Sequence, residues 1–196
     1  GYVIIGYTYS FGGGDGGDKN VYLIKTDENG DSLWTKTYDG YGSGNYVQQT
    51  TDGGYILCGE VNTDNYSGNV YLIKTNENGE EMWSQIFGGT EDDGGFCVQQ
   101  TLDGGYIISG ITESFGYGQE DVYLIKTDGN GEEIWSQTFG GIDNDRGYSV
   151  QQTIDGGYII CGEVNTDNYS RNVYLIKTDS QGNITSTIEL PTPTSK

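Results

Sequence analysis

The pattern of apolar and polar positions repeats along the chain with a period of about fifty residues. Repeats of this length are supersecondary units that bury their apolar surface against neighbouring copies, so the repeat predicts the architecture. Two segments mark each copy. Gly-Tyr-[Val/Ile]-[Ile/Leu]-x-Gly begins at Gly1, Gly54, Gly105 and Gly157, and Val-Tyr-Leu-Ile-Lys-Thr begins at Val21, Val70, Val122 and Val173.

Four strands are predicted in each complete copy, and we name them A to D. In the third copy they span Gly95 to Thr101, Gly105 to Gly110, Val122 to Thr127 and Ile134 to Phe139. Asp-Gly-Gly separates A from B, and a Gly preceded by Asn or Gln separates C from D. Because Gly and Asn tolerate positive φ, both connections predict tight hairpins.

Strands B and C are apolar at successive positions, which indicates a sheet covered on both faces. A radial repeat of such four-stranded antiparallel sheets is a β-propeller. We therefore predict an all-β, four-bladed β-propeller over residues 1–190, followed by a Thr/Pro-rich tail at 191–196. The predicted blades are 1–39, 44–89, 95–141 and 147–190.

The copies alternate in type. Tyr55 to Thr75 is almost identical to Tyr158 to Thr178, whereas the first and third copies share a Thr-x-Ser-Phe-Gly segment. In a closed ring of four blades this alternation gives pseudo-two-fold symmetry. The alternative is a ring of eight blades completed by two chains.

The chain resembles a known group of repeats. Tyr71 to Phe87 and Tyr123 to Phe139 are similar to secreted prokaryotic propeller repeats related to the quinoprotein (PQQ-type) family, in which a strand, an Asp-x-x-Gly turn and a Trp recur. The Gly pairs after strand D, at Gly88 and Gly140, resemble those of kelch repeats. This resemblance covers nearly the whole chain and implies a propeller fold, which hosts many functions.

Composition narrows the function. The chain has 196 residues and a formal net charge of -20, yet its 17 Tyr, 5 Phe and 3 Trp recur at repeat positions as a packed β-structure requires. Such acidity disfavours nucleic acid and anionic lipid as partners, and the sequence offers no apolar run that would insert in a membrane. Its three cysteines fit strand interiors, and the Thr/Pro tail favours an extracellular or cell-surface location.

Catalytic chemistry is not indicated. The chain has no His, and none of its 29 Asp and Glu residues lies in a recognisable catalytic motif. The cation and cofactor ligands of quinoprotein enzymes cannot be placed in this sequence. We therefore predict a protein that is not an enzyme and has no cofactor, with calcium as a candidate ligand.

Variable, acidic sequence falls in the B–C and D–A connections, which antiparallel connectivity places on one face. Tyr beside Asn and Asp would suit a sugar, since the ring can stack and the polar groups can bond hydroxyls. The candidate glycan-binding residues are Asn62, Asp64, Tyr66, Asn165, Asp167 and Tyr169. The alternative interpretation is a solvated loop rich in turn formers.

Two further sets of sites lie in these loops and turns. Carboxylates cluster in the D–A connections, and hard cations prefer oxygen ligands. The candidate calcium ligands are Asp92, Asp93, Asp143 and Asp145. The candidate N-glycosylation sites, each in an Asn-x-Ser/Thr triplet, are Asn65, Asn168 and Asn183.

The first copy has no strand A, because no copy of the Gln-Gln-Thr segment precedes Gly1 or follows Leu190. An unpaired strand edge exposes N–H and C=O groups that must be covered or used. Residues upstream of Gly1 lost by processing, another segment such as the C-terminal tail, or a neighbouring molecule are the three ways to supply the missing strand. We therefore predict a structural or interaction module that self-associates into a surface layer, filament or tube, with a homo-oligomer or polymer as its state. The alternative function is lectin-like glycan binding through the loop face.

Overall fold

The computed structural model describes residues 1–10, 19–38, 40–63, 67–167 and 170–190, and for residues 166, 167 and 170 the backbone alone. This part of the chain forms β-strands joined by turns, and it contains no helix long and apolar enough to cross a membrane. The strands are β1 (Val3–Thr8), β2 (Asn20–Thr26), β3 (Ser32–Tyr38), β4 (Gly42–Gln49), β5 (Tyr55–Asn62), β6 (Gly68–Thr75), β7 (Glu81–Phe87), β8 (Asp93–Gln100), β9 (Tyr106–Thr112), β10 (Asp121–Thr127), β11 (Glu133–Phe139), β12 (Asp145–Gln152), β13 (Tyr158–Asp167), β14 (Ser170–Thr178) and β15 (Ile184–Leu190).

These strands form four antiparallel sheets, each made of strands consecutive in sequence. Sheet 1 is β1-β2-β3, sheet 2 is β4 to β7, sheet 3 is β8 to β11, and sheet 4 is β12 to β15. Sheets 2 to 4 follow the predicted order A-B-C-D. Sheet 1 has only B, C and D, as the missing Gln-Gln-Thr segment predicts.

The hairpin turns have the predicted chemistry. Gly53, in an A–B turn, has a φ of 88°, and Gly79, in a C–D turn, has a φ of 72°. Equivalent glycines of the other copies also have positive φ. A side chain would strain these positions, which explains the choice of residue.

Three apolar cores lie between successive sheets. Val21 and Leu23 of sheet 1 pack against Tyr55 and Leu57 of sheet 2. Residues of sheets 2 and 3, and of sheets 3 and 4, meet in the same way. Strands β6 and β10 are buried along nearly their whole length because each inner sheet is covered on both faces.

The closed four-bladed ring is not shown. Each sheet packs on the next, but within the described chain no strand of sheet 1 packs on a strand of sheet 4 to a comparable extent. Four sheets in series are consistent with propeller blades, and the closure remains a prediction.

The tryptophans occupy equivalent strand D positions and are half-buried. Each lies edge-on to a tyrosine of the next sheet. The ring centroids of Trp83 and Tyr106 are 5.7 Å apart, and those of Trp135 and Tyr158 are 5.8 Å apart. Strand D is the outermost strand, so only one side of each indole can be covered. Sheet 4 has Ser186 at this position, and all of β15 is exposed.

Candidate binding site at the loop face

A cavity opens between sheets 2 and 3 on the face formed by the B–C and D–A connections. Its volume is about 360 Å³, and most of its polar lining is acidic. The lining residues are Glu60, Asn62, Gly68, Asp92, Asp93, Gly94, Phe96, Ile111, Glu113 and Glu120.

The corresponding places between the other sheets are occupied by basic side chains. Between sheets 1 and 2, Lys19 Nζ lies 3.1 Å from Glu60 Oε1. Between sheets 3 and 4, Arg146 donates two hydrogen bonds to Glu120, one of them from Nη2 at 2.9 Å. The hydrogen bonds to Glu120 raise the pKa of Arg146 further above its already high ordinary value. A basic side chain therefore joins the two sheets at the first interface, between sheets 1 and 2, and another does so at the third interface, between sheets 3 and 4.

The second interface has glycine at both of these positions. Gly68 stands where the first copy has Lys19, and Gly94 stands where the fourth sheet has Arg146. Neither glycine has a side chain to fill the space, so the cavity follows from these two residues.

Three carboxylates of the cavity have no basic partner among the described ion pairs: Asp92, Asp93 and Glu113. Asp93 is almost completely buried, and its Oδ2 accepts hydrogen bonds from Gly89 N at 2.8 Å and Ser114 Oγ at 2.7 Å. Partial burial raises the pKa of Glu113, and repulsion from neighbouring carboxylates, including Asp92, raises it further. The site therefore favours positive charge.

The predicted glycan-binding residues are placed only in part. Asn62 lines the cavity, and Asn165 lies at the equivalent position of sheet 4, where its N–H donates to Asp145 Oδ1 at 3.1 Å. Asp64, Tyr66 and Tyr169 lie outside the described residues, and only the backbone of Asp167 is described. The predicted stacking of a sugar on the two tyrosines stays a prediction.

The four candidate calcium ligands belong to two different interfaces. Asp92 and Asp93 line the cavity, whereas Asp143 and Asp145 lie in the next D–A connection. Asp145 accepts a hydrogen bond from Gly141 N at 2.7 Å, so it also holds its own loop. Within the described ranges, no three His, Cys, Asp or Glu residues are grouped to hold a metal ion. Calcium binding stays a prediction that a calcium titration of the melting temperature would test.

Of the candidate glycosylation sites, Asn183 is exposed in the turn between β14 and β15, where its Nδ2 donates to Asp179 Oδ2 at 2.9 Å. Asn65 and Asn168 lie outside the described residues. Modification at any of the three stays a prediction.

Two apolar sheet surfaces at the ends of the series form a second candidate binding region. We call the surface of sheet 1 that carries Tyr2 and Ile4 the front face, and Ile4 is 50% exposed there. The equivalent Leu57 is 1% exposed because sheet 1 covers it.

The back face is the surface of sheet 4 that carries Cys161 and Val173. Val173 is 43% exposed, whereas the equivalent Val70 of sheet 2 is 1% exposed beneath sheet 3. Each end face therefore presents positions that are buried inside the series.

Sequence reasoning missed the cavity and its carboxylates Glu60, Glu113 and Glu120. A signal was present, because Arg146 and Gly94 occupy the same repeat position. That this difference opens a cavity becomes clear only from the structure, in which Arg146 joins sheets 3 and 4 through Glu120.

No protein-family model matches the chain, and no curated protein matches it. Among solved structures, a protein of unknown function from Bacteroides caccae resembles it with a TM-score of 0.42 and 13% sequence identity. That match covers 87% of this chain and 74% of the other.

Proposed function

We propose that the four sheets are consecutive blades of a β-propeller and that the chain is a non-catalytic, extracellular interaction module that self-associates. The interaction runs through the front and back faces at the two ends of the sheet series. A surface layer, filament or tube would be the product.

The observation that carries this proposal is the exposure of repeat positions that are buried everywhere else. Tyr2 is 62% exposed, but its equivalents Tyr55, Tyr106 and Tyr158 are each at most 2% exposed. Removing apolar surface from water contributes about 25 cal/mol per Å², which offsets the entropy lost on association. Large contiguous apolar surfaces on a soluble protein are typical of interaction sites.

Electrostatics oppose the contact, since each copy carries a formal charge of -20. Salt screens such repulsion, with a Debye length of about 10 Å at 0.1 M. Self-association should therefore strengthen as salt is added, which is the reverse of an association driven by opposite charges.

Sedimentation equilibrium of the 21.3 kDa chain at several protein and salt concentrations tests the proposal. We expect oligomers that grow with concentration and are lost in Ile4→Asp and Val173→Asp. Ile134→Asp is the matched control, because Ile134 is 57% exposed but lies on the outer strand of an inner sheet. A chain that stays monomeric under all conditions would overturn the proposal.

Glycan binding is the second candidate function, and the cavity at the loop face favours it. Asn62 and several carboxylates can bond sugar hydroxyls there, and Phe96 offers an aromatic ring. A glycan array with and without a chelator tests this function. Binding that is lost in Asn62→Ala would support it, and an array without signal would end it.

A further inference from the structure

Strand β1 is an edge strand of sheet 1. Its equivalents β5, β9 and β13 are each paired on both sides, whereas among the described residues β1 pairs with β2 alone. The C=O of Tyr2 accepts from Thr26 N at 2.9 Å, on the side of β2. Because backbone groups alternate along a strand, Val3, Ile5 and Tyr7 direct their N–H and C=O groups to the open side.

The neighbouring sheet shows the same vacancy. Val98 and Val150, in strand A of sheets 3 and 4, are 0% and 4% exposed, and each lies in the core shared with the preceding four-stranded sheet. Val47, the equivalent residue of β4, is only half-buried. It packs on sheet 1, which has three strands, none of them a strand A, in the part of the chain that the structure describes.

A ladder of glutamines joins successive A strands. Gln48 Oε1 accepts from Gln100 N at 2.8 Å, and Gln99 Oε1 accepts from Gln152 N at 2.8 Å. Gln49 stands where the next sheets have Gln100 and Gln152, and in the described chain its N–H meets no such glutamine. The N–H of Gln49 is therefore a donor without a glutamine acceptor at the start of this ladder.

Lys25 is the strand C lysine of the first copy. The equivalent lysines of the other three copies each pair with the Asp of their own A–B turn. Within the described ranges Lys25 has no such turn beside it, and its Nζ lies 5.8 Å from the ring centroid of Tyr55.

We propose that these groups form an acceptor slot for an extended segment that carries Val-Gln-Gln-Thr followed by Asp-Gly. The slot is defined by the edge of β1 together with Val47, Gln49 and Lys25. It continues the two existing contacts between successive A strands.

Each part of the segment has a partner in the slot. Its backbone pairs antiparallel with β1, and its Val covers Val47. Its first Gln accepts from the N–H of Gln49, and its Asp pairs with Lys25. Main-chain pairing supplies affinity and the side chains supply specificity, as in other cases of β-strand addition.

The slot goes beyond the proposed function and does not depend on self-association, because a monomeric chain presents it too. Binding is therefore measured at a concentration at which the chain is monomeric. Peptide binding by a chain that never self-associates would support the slot and overturn only the end-face proposal.

The first experiment supplies the segment in trans, as a peptide copying residues 148–155, Tyr-Ser-Val-Gln-Gln-Thr-Ile-Asp. We expect saturable binding in calorimetry and slower amide exchange at Val3, Ile5 and Tyr7. The matched control peptide has both Gln replaced by Ala, and we expect it to bind about fivefold more weakly, since the hydrogen bond from the N–H of Gln49 to the first Gln is lost.

The second experiment supplies the segment in cis, with a copy of residues 145–156 fused ahead of Gly1. This fusion rebuilds the Asp-Gly-Gly-Tyr turn of the other copies. We expect a higher melting temperature than that of the unfused chain and slower amide exchange at Val3, Ile5 and Tyr7. A fused segment with both Gln replaced by Ala should give a smaller rise in melting temperature and less slowing of exchange.

The two arms identify the source of the segment. Binding in trans assigns the slot to a separate molecule, and protection only in cis assigns it to a covalently joined segment. If neither arm slows exchange at Val3, Ile5 and Tyr7, or if the Ala controls match the Gln segments, the slot does not exist.

Discussion

Lys74 Nζ lies 2.9 Å from Asp52 Oδ2, and the side chain of Lys74 is 5% exposed. The pair joins strand C to the A–B turn of the same sheet. Asp52 also accepts from Thr50 Oγ1 at 2.5 Å, and this hydroxyl, followed by Lys74, lowers the pKa of Asp52 to about 2. Lys126 with Asp103 and Lys177 with Asp155 repeat the arrangement at 3.0 Å each.

The first prediction is that Asp52→Asn destabilises the chain at pH 7. Losing one partner of a fully buried ion pair costs about 3–5 kcal/mol, and the half-exposed carboxylate reduces this to about 1–2 kcal/mol. Because the folded pKa of Asp52 is depressed, its stabilisation is present above the unfolded pKa and is lost as pH falls towards about 2.

Urea denaturation of both proteins between pH 2 and pH 7 checks this prediction. The difference in the free energy of unfolding between wild type and variant should shrink as the pH falls. Glu77 is exposed, so Glu77→Gln is the control and should show little difference at any pH. An Asp52→Asn difference that is the same at pH 2 and pH 7 would contradict the stabilising role of the Asp52 carboxylate.

Much of the fold could be predicted because each strand is specified locally. The Gly-Tyr segments and the glycine turns fix strands B, C and D, and the absence of a Gln-Gln-Thr segment before Gly1 predicts the three-stranded first sheet. The strand C lysines also recur at equivalent positions, and three of the four pair with the Asp of their own A–B turn.

What could not be predicted depends on how the sheets meet. The number of blades in a ring follows from the angle between packed sheets, which no local pattern encodes. The cavity depends on side chains that are absent at Gly68 and Gly94. The burial of Asp93, a candidate calcium ligand, and the hydrogen bonds that its Oδ2 accepts from Gly89 N and Ser114 Oγ also depend on how the loops pack.

The second prediction is that Gly94→Arg stabilises the chain. A Cβ atom at Gly94 would lie 3.8 Å from Ile111 Cγ1 and 4.0 Å from Glu60 Oε2, so a side chain fits. Arg146 shows that an arginine at this repeat position can bridge two sheets. We expect a rise in melting temperature of about 2–4 °C, which corresponds to about 1 kcal/mol.

Gly94→Gln is the matched control for this substitution, because it adds a long polar side chain without charge. Thermal unfolding at low and high salt separates the two effects. The advantage of Arg over Gln should shrink at high salt, since screening weakens the attraction to the carboxylates. Equal melting temperatures for the two variants at low salt would show that the cavity does not favour a cation.

The third prediction concerns Glu113, whose pKa is raised in the folded chain. A raised carboxyl pKa means that the folded state disfavours the charged form, so stability falls as pH rises through that pKa. Glu113→Gln should therefore raise the melting temperature at pH 7 by about 1 °C, as expected for a surface change of about 0.5 kcal/mol. The difference should disappear below pH 4, where the unfolded Glu is also protonated.

Melting curves from pH 3 to pH 7 check the effect, again with Glu77→Gln as the control. A Glu113→Gln variant that is less stable at pH 7 than wild type would mean that the carboxylate has a stabilising partner. It would also argue against an excess of negative charge in the cavity.

The last prediction distinguishes the three cysteines by their access to a thiol reagent. Cys161 is exposed on the back face, whereas Cys58 and Cys97 are buried between sheets, where burial raises the pKa of both thiols. Since the thiolate is the reactive form, iodoacetamide should label Cys161 at least about tenfold faster than the other two. Mass spectrometry of the digested protein measures each rate. The control is the urea-unfolded chain, in which all three thiols should react alike.

Labelling of Cys161 should also slow as protein concentration rises, because self-association through the back face covers it. Fast labelling of Cys58 would show that sheets 2 and 3 separate, and a concentration-independent rate at Cys161 would exclude the back face from the contact.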